Sequence, residues 1–305
     1  MLLRISTLNA AIIVNDTWKD GSDNEPASPA YSEYGVDSDA DGDLESAWFQ
    51  GGAGSLNPVA AGGPQRADLT GTGASSASWT TYFTPEATPV TLANTGDSVK
   101  VTWVFTPSGV NTGNTSQNFR FAVLDSPSAA RLTANGAPGT AAYTGYGVFA
   151  NLGQTLGNSN PFRLEKRGVA SGDPLATSGN WSALSTTGAA SGNHGYDNNT
   201  QYTLEWTMTR NAASGLDIDV KMSGGTLDND GTAEVAFTDS APGALGGFTF
   251  DTFALRPSGE TTTASVFDTS LFKVETNTVT VPEPVSLVLL GLGGLAIAAK
   301  RRRVA

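Results

Sequence analysis

The residues with the clearest chemical potential lie in the stretch GVDSDADGDLESAW, at positions 35–48. Carboxylates alternate there with other side chains, and Gly42 takes the sixth place of a loop counted from the first of them. The acids are Asp37, Asp39, Asp41, Asp43 and Glu45. Calcium is a hard cation that takes several oxygen ligands, and such loops use a Gly for their sharp turn. The spacing therefore predicts a Ca²⁺ site, with a solvated acidic loop as the alternative.

The start of this loop resembles the D-x-D-x-D-G pattern of EF-hand and dockerin-type loops. An EF-hand needs a bidentate Glu at its last ligand position, where this sequence has Trp48. Glu45 would have to supply that ligand instead. The resemblance is partial, and it implies a Ca²⁺ cofactor held by the five acids.

A second group of carboxylates lies on a pair of predicted strands. Asp217 and Asp219 share one face of the segment GLDIDV, and Glu205 on the neighbouring strand faces the same side. The segment resembles, in part, the E-x-D-x-x-E strand of laminarinase-type glucanases, but Leu216 has no carboxylate and no Glu follows at the required step. Two carboxylates flanking a sugar form the usual glycosidase arrangement. A glycan-cleaving site therefore stands beside a plainer interpretation, the solvent face of a half-buried strand.

Other residue types narrow the chemistry further. The chain has no Cys, which excludes thiol catalysis and Cys-ligated zinc, and its one His is His194. A multi-His metal site is therefore excluded, and a His-based triad is possible only around this residue. The Asp-Asn-Asp-Gly segment at 228–231 is typical of a hairpin turn.

Several aromatic residues stand at predicted strand starts or in loops. Sugar rings stack on exposed aromatic faces, so one or two of these residues could form a glycan platform. Packing at the edge of the core is the alternative. The five residues are Trp18, Trp48, Trp79, Trp181 and Tyr196.

The elements that must position these side chains are strands. In DSVKVTWVF the apolar residues fall at every second position, and the segments 202–210 and 215–222 repeat this alternation across a short loop. Period-two patterns with a polar opposite face indicate half-buried strands of antiparallel sheets. At least ten such segments are separated by Gly, Asn, Asp and Pro, without useful helical periodicity before the tail. The pattern predicts an all-β, two-sheet antiparallel jelly-roll sandwich.

The charge of the chain restricts its partners. The formal net charge is −12. Phosphate binding needs clustered cations, so the composition argues against a nucleic-acid partner. It is compatible with secretion and Ca²⁺ binding.

The last 25 residues read VPEPVSLVLLGLGGLAIAAKRRRVA and divide into three parts. A motif of Pro282, Glu283 and Pro284 precedes an uncharged apolar run from Val285 to Ala299. A helix of this length spans roughly 22 Å, less than the roughly 30 Å of a bilayer core. The basic end, which we expect to stay cytoplasmic, is Lys300, Arg301, Arg302 and Arg303.

This three-part order resembles the PEP-CTERM sorting signal of bacteria. The resemblance implies recognition by a membrane-embedded exosortase, cleavage near the motif, and an inner-membrane intermediate. Delivery to the cell surface or the exopolysaccharide matrix would follow. Loss of the four basic residues would change the net charge to −16.

The chain divides into four predicted segments. Residues 1–15 form a poor export signal, because Arg4, Ser6 and Asn9 interrupt the apolar stretch, and we interpret them as a residual or mis-started leader. The sandwich domain then covers 16–276, a spacer with the Pro-Glu-Pro motif covers 277–284, and a transmembrane sorting helix covers 285–305.

The body resembles concanavalin A-like (laminin G-like) sandwiches. Within it, four stretches resemble uncharacterised surface proteins that carry the same tail: DTWKDGS at 16–22, SAWFQGGAGSL at 46–56, SWTTYFT at 78–84 and FTFDTFALRP at 248–257. We therefore expect an exported, non-catalytic, glycan-binding or structural protein. Its partners would be an exosortase-type protease, polysaccharide and, through the tail helix, the membrane. The alternative is a glycan hydrolase or lyase on the same fold.

Overall fold

The computed structural model describes residues 7–127, 130–139, 142–176, 178–184 and 188–280, and this part of the chain is nearly all β. The strands are β1 (Thr7–Asp16), β2 (Trp48–Gly52), β3 (Ser55–Pro58), β4 (Gln65–Asp68), β5 (Ala77–Tyr82), β6 (Val90–Thr91), β7 (Ser98–Ser108), β8 (Phe119–Asp125), β9 (Thr144–Ala150), β10 (Phe162–Arg167), β11 (Trp181–Ala183), β12 (Tyr202–Arg210), β13 (Leu216–Ser223), β14 (Thr232–Asp239), β15 (Thr249–Phe250), β16 (Thr252–Ser258) and β17 (Val266–Thr280). The short helical segments are α1 (Gly243–Gly246) and 3₁₀ turns at Ser178–Asn180, Leu227–Asn229 and Glu260–Thr262.

Two antiparallel sheets contain most of these strands. In the first sheet the order is β14-β13-β12-β7-β17-β4-β3, and β1 also pairs with β17. In the second sheet the order is β11-β10-β9-β8-β16-β5-β2. The prediction of an all-β, two-sheet antiparallel jelly-roll sandwich is confirmed.

The alternating apolar residues face one another between the sheets. In β7 the side chains of Val99, Val101, Trp103 and Phe105 are fully buried, whereas the residues between them are partly exposed. The predicted hairpin is formed by β12 and β13, with Trp206 opposite Val220. The core thus follows from the period-two pattern.

The first and last described strands are neighbours. Residues 7–15, which the sequence analysis assigned to a leader, belong to β1, and its register against β17 runs from Thr7 opposite Thr280 to Asp16 opposite Phe272. Ile13 and Val14 are buried in the core. The apolar stretch 10–14 therefore lies in a strand, in which Ile13 and Val14 face the core while Ile12 is 44% exposed.

The sandwich extends to residue 280. The residues 277–280, predicted as the start of a spacer, continue β17. The N–H of Val279 donates to Asp97 Oδ1 at 2.6 Å, so this end of the strand is tied to the turn before β7. The predicted Pro-Glu-Pro motif, tail helix and basic end lie outside the described residues.

None of the helices in the described part of the chain has both the length and the apolar character that crossing a bilayer requires.

Candidate metal centre

The long connection between β1 and β2 builds the candidate site. It folds back on the end of β1, where the N–H of Asn15 donates to the carbonyl oxygen of Leu44 at 2.8 Å. A second isolated bridge joins Ser32 to Ser46. These contacts bring residues near 16–20 against residues 39–45, although 19 to 29 positions separate them in the chain.

Asp16 fixes the base of this connection. Its carboxylate is buried and accepts the N–H of Trp18 at 3.1 Å and that of Ser46 at 3.4 Å. Trp18 has a left-handed φ of 52°, which is costly for a bulky residue unless its surroundings hold it. Its buried ring packs beside Trp48 at a centroid distance of 6.3 Å, and this packing holds the conformation.

Asp37 shapes the acidic loop from within. Its two carboxylate oxygens accept the N–H groups of Ala40 at 2.7 Å and Gly42 at 3.1 Å. Gly42 has a φ of +94°, and a Cβ there would lie 3.0 Å from Lys19 Nζ. The left-handed backbone conformation therefore favours glycine at the sixth place.

Three of the predicted ligands converge. One carboxylate oxygen from each of Asp41, Asp43 and Glu45 lies within 4.8 Å of the other two. Asp43 Oδ2 accepts the N–H and the hydroxyl of Thr17, each at 2.8 Å. Asp43 Oδ1 and Asp41 Oδ2 are buried and have no hydrogen-bond donor among the described residues. Two orphaned carboxylate oxygens in one cluster are a costly arrangement unless a proton or a cation joins them.

Glu45 belongs to two overlapping groups of acids. It also lies within 4.8 Å of Asp20, Glu25 and Asp39, counted in the same way. The residue is only 5% exposed, and its backbone N–H donates to Glu33 Oε2 at 3.1 Å. Glu45 therefore brings a largely buried carboxylate within reach of both groups of acids.

The electrostatics of the cluster are strongly unfavourable without a counter-charge. Burial, followed by the negative charges of Asp20 and Asp16, raises the pKa of Glu45 to about 9. Burial also raises the pKa of Asp16 well above its ordinary range. Lys19 is the one cation between positions 16 and 45, and it donates to the carbonyl oxygen of Gly42. In the described chain, the ion pairs all lie elsewhere.

The potential ligand atoms of the cluster are all carboxylate oxygens, which suits a hard divalent cation. The acidic cluster therefore has the ligand set to hold a metal ion, with Glu45 shared between its two halves. Sequence reasoning missed the contribution of Asp20, Glu25 and Glu33, which come from earlier in the connection. A signal was present, because positions 16–45 hold ten acids and a single cation.

The carboxylates considered for catalysis lie on the outer face of the first sheet. Asp217 and Asp219 line a shallow groove of about 310 Å³ together with Thr207 and Thr209. Asp217 accepts the Thr238 hydroxyl at 2.8 Å. Glu205 is paired with Lys100 and does not line the groove. The structure thus places Asp217 and Asp219 in one groove, whereas Glu205 is paired with Lys100 outside it.

Of the two interpretations of the five aromatic residues, packing and not a glycan platform agrees with the structure. All five candidate residues are buried: Trp18, Trp48, Trp79, Trp181 and Tyr196. Trp181 covers Gly147 on the outer face of the second sheet and donates its indole N–H to the carbonyl oxygen of Pro174 at 2.6 Å. These rings pack against strands and loops, so none of them presents a face to a sugar.

His194 and the acids near it have local roles. Its Nε2 lies 2.9 Å from Asp197 Oδ2, and the His side chain is 38% exposed. The segment 228–231 forms a tight connection with left-handed φ at Asp228 and Asn229. The exposed side chain of His194 agrees with a position in a loop, and the left-handed φ values agree with the predicted turn at 228–231.

The comparisons with known proteins identify the tail. Residues 280–303 match the family model of the PEP-CTERM protein-sorting motif, so the predicted sorting signal is confirmed. A comparison with curated proteins gives no sequence match.

Solved structures similar to the body include three sugar-binding or lumenal domains. The exoplasmic/lumenal domain of VIP36 in its Ca²⁺/Man-bound form is 13% identical, with 76% of this chain and 83% of that chain covered and a TM-score of 0.45. The potassium-bound carbohydrate recognition domain of Emp46p is 11% identical, with 74% and 87% covered and a TM-score of 0.41. The seed lectin of Lotus tetragonolobus is 10% identical, with 77% and 94% covered and a TM-score of 0.39.

Proposed function

We propose that this chain is an exported protein of the bacterial cell surface or exopolysaccharide matrix, whose β-sandwich binds polysaccharide without cleaving it. The observation that carries the proposal is the sorting motif at 280–303, which begins at the last residue of β17. The last described strand therefore ends where the motif starts. Cleavage after residue 280 would release the body without removing any of its strands.

The three parts of the tail act in sequence in this proposal. The apolar run from Val285 to Ala299 forms a helix that holds an inner-membrane intermediate, with the basic end in the cytoplasm. An exosortase-type protease then cuts near Pro282, Glu283 and Pro284. The short, Gly-containing run suits a temporary anchor better than a permanent one.

The acidic cluster binds Ca²⁺ in this proposal. Asp41, Asp43 and Glu45 would supply ligands to the ion, together with Asp20 and Asp39 of the overlapping group, and Asp37 would keep the loop in shape. A bound ion would supply the positive charge that the cluster lacks. It would thereby fix the connection between β1 and β2 against the end of the sandwich.

Polysaccharide binding is tested with the exopolysaccharide of the parent bacterium. We expect the purified protein to sediment with this polymer in a saturable way, and to release no new reducing ends during long incubation. Failure to sediment would contradict the binding function.

The enzyme alternative rests on the groove that Asp217 and Asp219 line. It predicts release of reducing ends or unsaturated products from the same polymer, and loss of that release in Asp217→Asn with Asp219→Asn. If the wild-type protein cleaves the polymer and this double variant does not, the non-catalytic proposal is wrong.

A further inference from the structure

A row of arginines crosses the outer face of the second sheet. Arg256 on β16 lies directly opposite Arg120 on β8. Arg120 lies opposite Phe149 on β9, and Phe149 lies opposite Arg163 on β10. Residues that are directly opposite in neighbouring strands share a face of the sheet, so three guanidinium groups stand in one line.

The row is built into the structure by the loop that follows β10. The Arg120 guanidinium lies over the Phe149 ring at 4.6 Å and donates to the carbonyl oxygens of Leu175 at 2.8 Å and Ala176 at 3.1 Å. Arg167 is 1% exposed and donates to the carbonyl oxygens of Ser171 and Pro174. The loop at 171–176 and the arginines therefore hold one another in fixed positions.

The charges on this face do not balance. Arg163 is paired with Glu165, whereas Arg120 and Arg256 form no ion pair with a described residue. Asp173 is the other acid near the row, and its Oδ1 already accepts the N–H groups of Leu175 and Ala176. Like charges directly opposite in a sheet are destabilising, and here the pair is Arg120 with Arg256. Such a pair persists more readily when an anion bridges it.

The neighbouring guanidinium groups also affect the pKa of Arg120. Burial, followed by the positive charges of Arg256 and Arg163, lowers the pKa of Arg120 to about 10, and the negative charges of Glu165 and Asp173 act in the opposite direction. Both Arg120 and Arg256 remain charged at neutral pH. Their cationic fields therefore add on this face, in a protein whose formal net charge is −12.

Several N–H donors of the row have no partner among the described residues. Arg256 donates to Ser76 through Nη2, which leaves its Nε and Nη1, and Arg120 donates through Nε and Nη1, which leaves its Nη2. Arg163 Nε also lacks a described partner, but this atom is buried. Nε and Nη1 of Arg256 and Nη2 of Arg120 can therefore donate to the oxygens of an anion.

We propose that this face of the second sheet is a binding site for the carboxylate groups of an acidic, uronate-type polysaccharide. A guanidinium fork recognises a planar carboxylate through two parallel hydrogen bonds, which a neutral sugar cannot provide. The rest of the acidic surface repels a polyanion, so the row sets where such a polymer docks. The inference deepens the proposed function and rests on the chain being a polysaccharide-binding protein.

The site is tested by calorimetric titration of the full protein with polyglucuronate at low salt and without divalent cations. The matched polymer is polyglucuronate whose carboxyl groups have been reduced to alcohols. This reduction turns it into a neutral glucan. We expect the charged polymer to bind at least about tenfold more tightly than the neutral one, and its affinity to fall as salt rises.

The test variant is Arg256→Gln, and the control is Arg66→Gln, whose exposed ion pair with Asp268 lies on the first sheet. We expect Arg256→Gln to weaken polyglucuronate binding about tenfold and to melt at the same or a higher temperature at low salt, because a like-charge pair is relieved. Arg66→Gln should bind as the wild type does. Equal affinity of the two variants for polyglucuronate would overturn the proposal.

Two other results separate this inference from the proposed function. If the parent exopolysaccharide binds but polyglucuronate and the neutral glucan bind alike, the arginine site is wrong and the polysaccharide-binding function stands. If the protein binds anionic phosphatidylglycerol vesicles but not polyglucuronate, the face recognises a lipid surface and the proposal is wrong.

Discussion

At the scale of single residues, Glu45 is the centre of the acidic cluster. It is shared by two groups of carboxylates and is only 5% exposed. Burial and the neighbouring acids raise its pKa to about 9, so its charged form is stable only when a cation compensates it. The metal proposal therefore depends on this side chain more than on any other.

Calcium should stabilise the protein, and Glu45→Gln should remove most of that effect. At a free Ca²⁺ concentration of 100 times Kd we expect a gain of about 2.7 kcal/mol in the free energy of unfolding. Melting curves with Ca²⁺ and with a chelator measure this gain. Glu45→Gln should gain little, and in chelator it should be at least as stable as the wild type, because a buried carboxylate has become a neutral amide.

The matched control for Glu45 is Glu234→Gln, an exposed acid on β14. It should keep the full response to Ca²⁺. Absence of a Ca²⁺ response in the wild type, or an undiminished response in Glu45→Gln, would contradict the metal site.

Arg131 and Asp251 form a buried ion pair at 2.8 Å, with side chains that are 1% and 2% exposed. The guanidinium also lies over the rings of Tyr31 and Tyr82. Arg131→Met should lower the free energy of unfolding by about 3–5 kcal/mol, because it leaves a buried carboxylate unpaired. Denaturant titration measures the loss, and the added change Asp251→Asn should restore part of it. If Arg131→Met alone is as stable as the wild type, the ion pair between Arg131 and Asp251 does not stabilise the fold.

Some of these residues could be placed in the site from the sequence, and others could not. The spacing of Asp41, Asp43 and Glu45 was sufficient to predict a cluster, because these residues are close along the chain. The approach of Asp20 and Glu25 depends on the chain folding back on β1, which no local pattern records. The buried state of Trp181 depends on a loop covering the outside of a sheet, and alternation along one strand cannot predict such a cover.

At the scale of elements, β1 is the strand whose identity was hardest to predict. Its segment AAIIV suits both an export leader and a core strand, and only the pairing with β17 separates the two. By contrast, the β12–β13 hairpin was predictable because the alternation and the turn agree. The arginine row was not predictable either, since it arises from the order and register of β16, β8, β9 and β10.

Removal of residues 1–15 should destabilise the sandwich. The change deletes most of β1, including the buried Ile13 and Val14, and the loss of their burial costs about 3–6 kcal/mol. Denaturant unfolding measures the loss, and removal of residues 1–6 is the control that leaves the strand in place. Unchanged stability of the longer deletion would favour the leader interpretation.

Asp125, the last residue of β8, should make the free energy of unfolding depend on pH. Burial, followed by the negative charge of Asp251, raises the pKa of Asp125 to about 6, whereas an unfolded Asp titrates near about 3.9. Between these values the folded state binds the extra proton, so this contribution to stability falls as pH rises from about 4 to about 6 and is flat above. Asp125→Asn should remove that slope and be relatively more stable at pH 7. Parallel stability curves for the two proteins between pH 4 and 7, measured in Ca²⁺, would contradict the assignment.

At the scale of the whole molecule, the chain separates a folded body from its sorting signal. The last strand ends at Thr280, and the matched motif covers 280–303. The body carries an acidic cluster in the connection between β1 and β2, and a row of arginines on the outside of its second sheet. We propose that the cluster stabilises the body through a bound cation and that the row of arginines binds an acidic polymer.

The mass of the mature protein, recovered from the surface or medium of an exosortase-containing bacterium, tests the central claim most directly. We expect intact mass spectrometry to show a C-terminus near Pro282, Glu283 and Pro284, with β17 complete and the four basic residues at 300–303 absent. A Pro282→Ala, Pro284→Ala variant should stay uncleaved in the membrane fraction. Recovery of the full-length chain, with Lys300 to Arg303 still attached and retained inside the cells, would contradict the account.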